Sequence, residues 1–146
     1  MKRYGWILVV AMVFLLAACS KENDKNQTVT IREAWARTAL KGDPSAIYFI
    51  VENSSDQEDT LLSASTDAAM MTELHMSSMD ANGVMKMEPQ SSVSIPAGGT
   101  VEFKKGGLHV MLMSVSRQLK VGDSVQLTLN FEKAGKITLE VPVKDQ

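Results

Sequence analysis

The chain has 146 residues, 45% hydrophobic and 22% charged, with a formal net charge of −2. That length allows one domain with a real core, and no basic stripe points to nucleic acid. Its one cysteine, Cys19, excludes a disulfide framework and a thiolate-caged metal, and leaves the part that follows without a cysteine nucleophile.

In chain order, Lys2 and Arg3 precede an apolar run from Trp6 to Leu16, followed by Ala17, Ala18 and Cys19. Eleven apolar residues fall well short of the roughly 20 that a membrane-spanning helix needs, so residues 1–18 read as an export signal. The small residues before Cys19 resemble a bacterial lipobox, which implies a diacylglycerol on that thiol after cleavage. Two or more acyl chains hold a protein stably on a membrane surface. Residues 19–27 then form a lipidated cysteine and a polar tether (KENDKNQ), and residues 28–146 form the domain. The part after Cys19 keeps all seventeen acidic residues and thirteen of the fifteen basic ones, a net charge of about −4. The expected location is extracytoplasmic, on the bacterial cell envelope.

The domain alternates short apolar runs with turn signals, the pattern of an all-β sandwich or barrel. The runs are Thr28 to Arg37, Ala46 to Glu52, Thr60 to Ala64, Thr72 to Ser77, Val84 to Met87, Ser92 to Ile95, Thr100 to Phe103, His109 to Val115, Ser124 to Phe131 and Ile137 to Val143. Between them stand clusters such as Gly42-Asp43-Pro44, Asn82-Gly83, Gly98-Gly99, Gly106-Gly107 and Gly122-Asp123, residues that tolerate or preset turn dihedrals. No helical stripe persists, apart from a turn near Asp67 to Met71.

Both histidines and eight of the ten methionines fall between Met70 and Met113. They spell HMx10Mx21HxM: His75-Met76, then Met87, then His109-Val110-Met111. Thioether and neutral imidazole suit Cu(I), whereas Zn(II) favours thiolate, imidazole or carboxylate and hard ions favour oxygen. Methionine also fills cores without any metal. Against that reading, the chain spends no histidine elsewhere, and His109/Met111 and Met85/Met87 each stand at i, i+2, on one face of a strand.

Register bears on which methionine serves. With Ala81-Asn82-Gly83 as a three-residue hairpin loop and Gly83 left-handed, Met79 pairs with Met85, Ser77 with Met87 and His75 with Pro89. His75 and Met87 then share a face. A two-residue Asn82-Gly83 turn would move Met87 to the face of Met76 and Ser78.

Glu73-Leu74-His75-Met76, Gly83-Val84-Met85-Lys86-Met87, Ile95-Pro96-Ala97-Gly98 and Gly106 to Met113 closely resemble the PCuAC family of bacterial extracytoplasmic copper chaperones. Ala34-Trp35-Ala36-Arg37 and Ala46 to Asn53 resemble its first two strands. The resemblance implies a cupredoxin-like β-sandwich with Greek-key connections, binding one Cu(I) near its surface. By the same resemblance the ligands are His75, Met87, His109 and Met111, and Met76 matches the motif's optional methionine. Met76 and Met85, the latter at i, i+2 to Met87, are auxiliary candidates, and Met113 is left to packing or support. The His- and Met-rich tail of some relatives is absent from the C-terminal Val143-Lys144-Asp145-Gln146, which speaks against a further site there. The resemblance also implies copper supply to the binuclear centre of cytochrome c oxidase. The expected partners are oxidase subunit II or a thioredoxin-fold assembly factor.

Other readings fit less well. A blue-copper electron carrier needs a cysteine thiolate that this domain lacks. A haem module with a His/Met axial pair would lack a CxxCH attachment motif, and a sandwich this size has little room for the macrocycle. No GxSxG elbow occurs, and two histidines committed to metal leave no general base, so no enzyme is expected. A copper storage or tolerance protein, or a non-metal surface adhesion sandwich, remains the alternative, because fold alone does not decide function.

Overall fold

Each of the ten apolar runs becomes a strand in the computed structural model, which describes residues 28–146. The export signal, Cys19 and the polar tether lie outside the described residues. The strands are β1 (Val29–Arg37), β2 (Ser45–Asn53), β3 (Asp59–Thr66), β4 (Ala69–Met79), β5 (Met85–Gln90), β6 (Val93–Ile95), β7 (Thr100–Phe103), β8 (Leu108–Val115), β9 (Ser124–Phe131) and β10 (Gly135–Lys144). The turn expected near Asp67 to Met71 shrinks to a bend at Asp67 and Ala68, and β4 starts immediately after it.

The strands run in the order β5-β4-β8-β7-β2-β1-β10-β9-β3-β6, with β8 also pairing with β2. The ribbon folds over at β1 and β10, which meet only at Ala36↔Val143 and Arg37↔Lys144, giving two layers. The architecture is the cupredoxin-like β-sandwich expected. Its non-sequential neighbours, such as β8 between β4 and β7, are Greek-key crossovers.

One face of each layer closes the core. Ile47, Phe49, Val51, Leu74, Val110 and Leu112 of the first layer join Leu61, Val125, Leu127, Leu129, Phe131 and Val141 of the second in one buried cluster. Phe49 stacks on Phe103 at 4.3 Å between ring centroids. Removing this apolar surface from water drives the two layers together.

A buried carboxylate fastens the far layer. Asp59 is 2% exposed and accepts hydrogen bonds from the backbone N–H groups of Thr60 (2.7 Å), Lys133 (2.9 Å) and Ala134 (2.9 Å). Burial pushes its pKa up, but the three amides and the nearby Lys133 charge outweigh burial and hold the carboxyl below its ordinary value.

The first layer carries two irregularities that matter for its outer face. Between Arg32 and Trp35 the β1–β2 register slips by one residue: Arg32 faces Ile50, but Trp35 faces Tyr48. Glu33, at φ 54°, lies in this bulge. The extra residue turns Trp35 to the outer face beside Tyr48 while Ala36 returns to the core opposite Ile47, the re-aiming that bulges produce. The second irregularity is the β4–β5 turn. Asp80 N–H donates to Val84 O (3.0 Å), Gly83 N–H donates to Asp80 O (3.0 Å), and Gly83 has φ 78°. Of the two loops that the sequence allows, this is the three-residue one, with glycine in the left-handed position where a side chain would be strained.

Candidate metal centre

That turn sets the register of everything beneath it. Met79 lies opposite Met85, Ser77 opposite Met87 and His75 opposite Pro89. Pro89 is tolerated because β5 is an edge strand of the layer. On the other side of β4, His75 lies opposite His109, Glu73 opposite Met111 and Met71 opposite Met113. Alternation therefore puts His75, Met87, His109 and Met111 on the outer face, while Leu74, Val110 and Leu112 enter the core.

The two imidazoles form the middle of this face. Their ring centroids are 5.8 Å apart in an edge-on arrangement. His109 is 3% exposed, and its Nδ1–H donates to Gly107 O at 3.0 Å, which leaves the lone pair on Nε2. His75 is held in the opposite sense, its Nε2–H donating to the Glu73 carboxylate at 2.8 Å. Its Nδ1 is then buried with no hydrogen-bond partner among the described residues. An unpaired buried acceptor costs free energy, and an ion that takes the lone pair removes the cost. In both histidines one nitrogen is fixed by the residue two positions earlier and the other is free to ligate, the usual arrangement of metal-binding imidazole.

Met111 and Met87 flank this pair from opposite sides. Met111 is one step along β8 from His109, half-buried, with Glu73 and Ala46 as its lateral neighbours. Met87 is 58% exposed on the edge strand. Among the described residues no three His, Cys, Asp or Glu side chains gather to hold a metal; this face offers imidazole nitrogen and thioether sulfur, with the Glu73 carboxylate engaged by His75.

An aromatic wall closes the other flank. Tyr48 stands 6.3 Å from His109 and 4.7 Å from Trp35 between ring centroids, and Lys105 Nζ lies 5.3 Å above the Trp35 ring. Burial raises the Tyr48 pKa against a smaller opposing effect of Arg37, so the phenol stays neutral beside the imidazoles.

Of the auxiliary residues, Met85 lies on the outer face, opposite Met79. Met76, the other auxiliary candidate, lies on the opposite face of β4 from His75, half-buried opposite Leu108. Met113, assigned to packing or support, is 40% exposed on the outer face opposite Met71 and does not pack into the core. Sequence reasoning missed Glu73, Gly107, Tyr48 and Trp35. Glu73 carried a usable signal, because it precedes His75 by two, the spacing that puts strand neighbours on one face.

Comparison with known proteins gives a consistent picture. The family model described as "Putative lipoprotein LpqE-like" matches residues 29–143. "Putative lipoprotein Lxx21020" of Leifsonia xyli subsp. xyli (strain CTCB07) is 31% identical over 134 residues, which span 91% of this chain and 80% of that one. "Uncharacterized protein RP573" of Rickettsia prowazekii (strain Madrid E) is 31% identical over 105 residues, spanning 68% of this chain and 58% of that one. Among solved structures, the copper-bound PCuAC domain from PmoF2 superposes with a TM-score of 0.68 at 28% identity, over 82% of this chain and 94% of that one. The solution structure of CuI-DR1885 from Deinococcus radiodurans gives 0.59 at 32% identity, over 83% of each chain.

Proposed function

Because the chain belongs to the LpqE-like lipoprotein family, a family of PCuAC type, we propose that it is a copper chaperone of the bacterial cell envelope. In this reading it carries one Cu(I) between His75, Met87, His109 and Met111.

The observation that carries the proposal is the pair of histidines held in opposite tautomers, with the buried Nδ1 of His75 unpartnered. Among the described residues nothing uses that lone pair, and a soft cation would. Two neutral imidazoles and two neutral thioethers match a monovalent soft ion and offer neither the thiolate favoured by structural zinc nor the oxygen cage of calcium. The copper-bound state of two structural neighbours supports the same choice. Lacking a thiolate, the site should carry copper without cycling its oxidation state.

The test is an anaerobic titration of the soluble fragment from Ser20 against a Cu(I) chelator. One tight equivalent is expected, with preference over Zn(II) and Cu(II). Failure to compete, or two equally tight equivalents, would overturn the assignment.

Delivery is the second half of the proposal. A lipid on Cys19 would confine the carrier to the membrane surface and raise its effective concentration near an acceptor there, such as oxidase subunit II or a thioredoxin-fold assembly factor. The lipoprotein description of the family supports such an anchor. Cytochrome c oxidase activity in copper-limited cells should fall on deletion, return with the anchored form, and return only on overproduction with an exported soluble form. Full activity in the deletion strain would argue for another acceptor or for copper storage.

A further inference from the structure

Six of the methionines between Met70 and Met113 are exposed, so packing does not account for them. Three of the six, Met79, Met85 and Met87, gather at the tip of the β4–β5 hairpin on the outer face, at 66%, 49% and 58% exposure. Exposed apolar side chains grouped on one small surface call for an explanation.

Geometry supplies one. Asp80 and Val84 share a backbone hydrogen bond, so the next pair outward from the loop, Met79 and Met85, is of the non-hydrogen-bonded kind, in which opposed side chains stand closest. The tip is held firmly. The Asp80 carboxylate accepts from the backbone N–H groups of Asn82 (2.9 Å) and Val84 (3.0 Å), and Lys86 Nζ lies 3.9 Å from it. Lys86 belongs to the opposite face of β5, so its charge does not stand among the thioethers. The two sulfur side chains therefore hang from a fixed frame at a cross-strand spacing, with Met87 two residues further along the same face.

We infer that Met79 and Met85 form a second site, made of thioethers alone, for a soft monovalent ion. Met87 is the ligand common to it and to the central site. Thioether sulfur without imidazole or carboxylate selects Cu(I) and similar soft ions and rejects Zn(II), Mg(II) and Ca(II). Exposure keeps the site weak and open to exchange. Copper would pass from the imidazole pair to the tip by replacing one ligand at a time through Met87. It stays Cu(I) throughout, with no electron or proton transferred. This deepens the copper reading, because it assigns the release point of that same cargo.

The experiment uses the full chain in detergent micelles, with methyl-labelled methionine followed by NMR while Ag(I) is added as a redox-inert stand-in for Cu(I). Met111 and Met87 should shift with the first equivalent, and Met79 and Met85 with the second. Met79→Leu keeps the apolar surface but removes a sulfur, and should abolish the second step while leaving the first. His109→Ala should weaken the first step and leave the tip responsive. Met79 and Met85 signals that stay still at several equivalents would overturn the inference. So would an unchanged second step in Met79→Leu. A tip that responds while Met111 never does would support the second site and sink the central one, so the two readings fail separately.

Discussion

The two faces of strand β8 differ in what they ask of neighbouring residues. Val110 and Leu112 are fully buried and join the sandwich core, whereas His109 and Met111, each one residue away, face outward beside His75. The inner face is fastened by apolar contact that any well-shaped hydrophobe can supply. The outer face carries its polar atoms in fixed tautomers and leaves one of them unpaired. A strand thus separates stability from chemistry by alternation alone, and substitutions on one face should leave the other nearly untouched.

The most severe break in this separation should come from the inner face. Leu112→Ala should cost about 2–5 kcal/mol of stability, as core truncations do, while copper affinity per folded molecule stays the same. Chemical denaturation beside chelator competition checks both halves. His109→Ala should weaken Cu(I) binding by more than about 100-fold, beyond what loss of an outer partner causes, and should lower stability less than Leu112→Ala does. Met111→Leu should behave likewise, and Met113→Leu far less.

Asp59→Asn tests the buried side of the second layer. Losing charge-assisted acceptance from three amides should cost about 1–3 kcal/mol near neutral pH. Because the folded carboxyl sits below its ordinary pKa, its stabilisation is complete above the ordinary value and disappears as pH falls through the lowered one. Denaturation curves of wild type and variant should therefore converge in acid. A gap that stays constant with pH would mean that Asp59 acts through packing.

Smaller effects sharpen the outer face. Glu73→Gln keeps a hydrogen bond to His75 but removes the charge, and should weaken Cu(I) by about tenfold, at the low end for partners that orient a ligating histidine. Met76→Leu should change affinity least, and clearly less than Met87→Leu, because Met76 points away from the imidazoles. Equal losses for these two would contradict the hairpin register as the guide to the site.

Much of this arrangement was legible in the sequence because local chemistry encodes it. Asn82-Gly83 marked the turn but allowed a loop of two or three residues, and the three-residue loop that forms sets the β4–β5 register that puts Met87 on the face of His75. The apolar runs located all ten strands to within a few positions, and turn residues marked most of the gaps between them. Strand order was not legible, since pairing β8 with β4, β7 and β2 depends on contacts distant in the chain. The slip between Arg32 and Trp35 was equally hidden. A plain period of two across Glu33 would have sent Trp35 into the core. The exposure of Met113 escaped for a related reason, as methionine suits core and surface alike and only the finished sheet decides.

That slip gives the domain its own optical gauge. In the fragment from Ser20, Trp35 is the single tryptophan, and the added residue in β1 stands its indole against Tyr48, which in turn stands against His109. Indole emission should therefore respond, from two rings away, to a ligand bound at the imidazoles, so binding of an ion there could be followed in real time without a label.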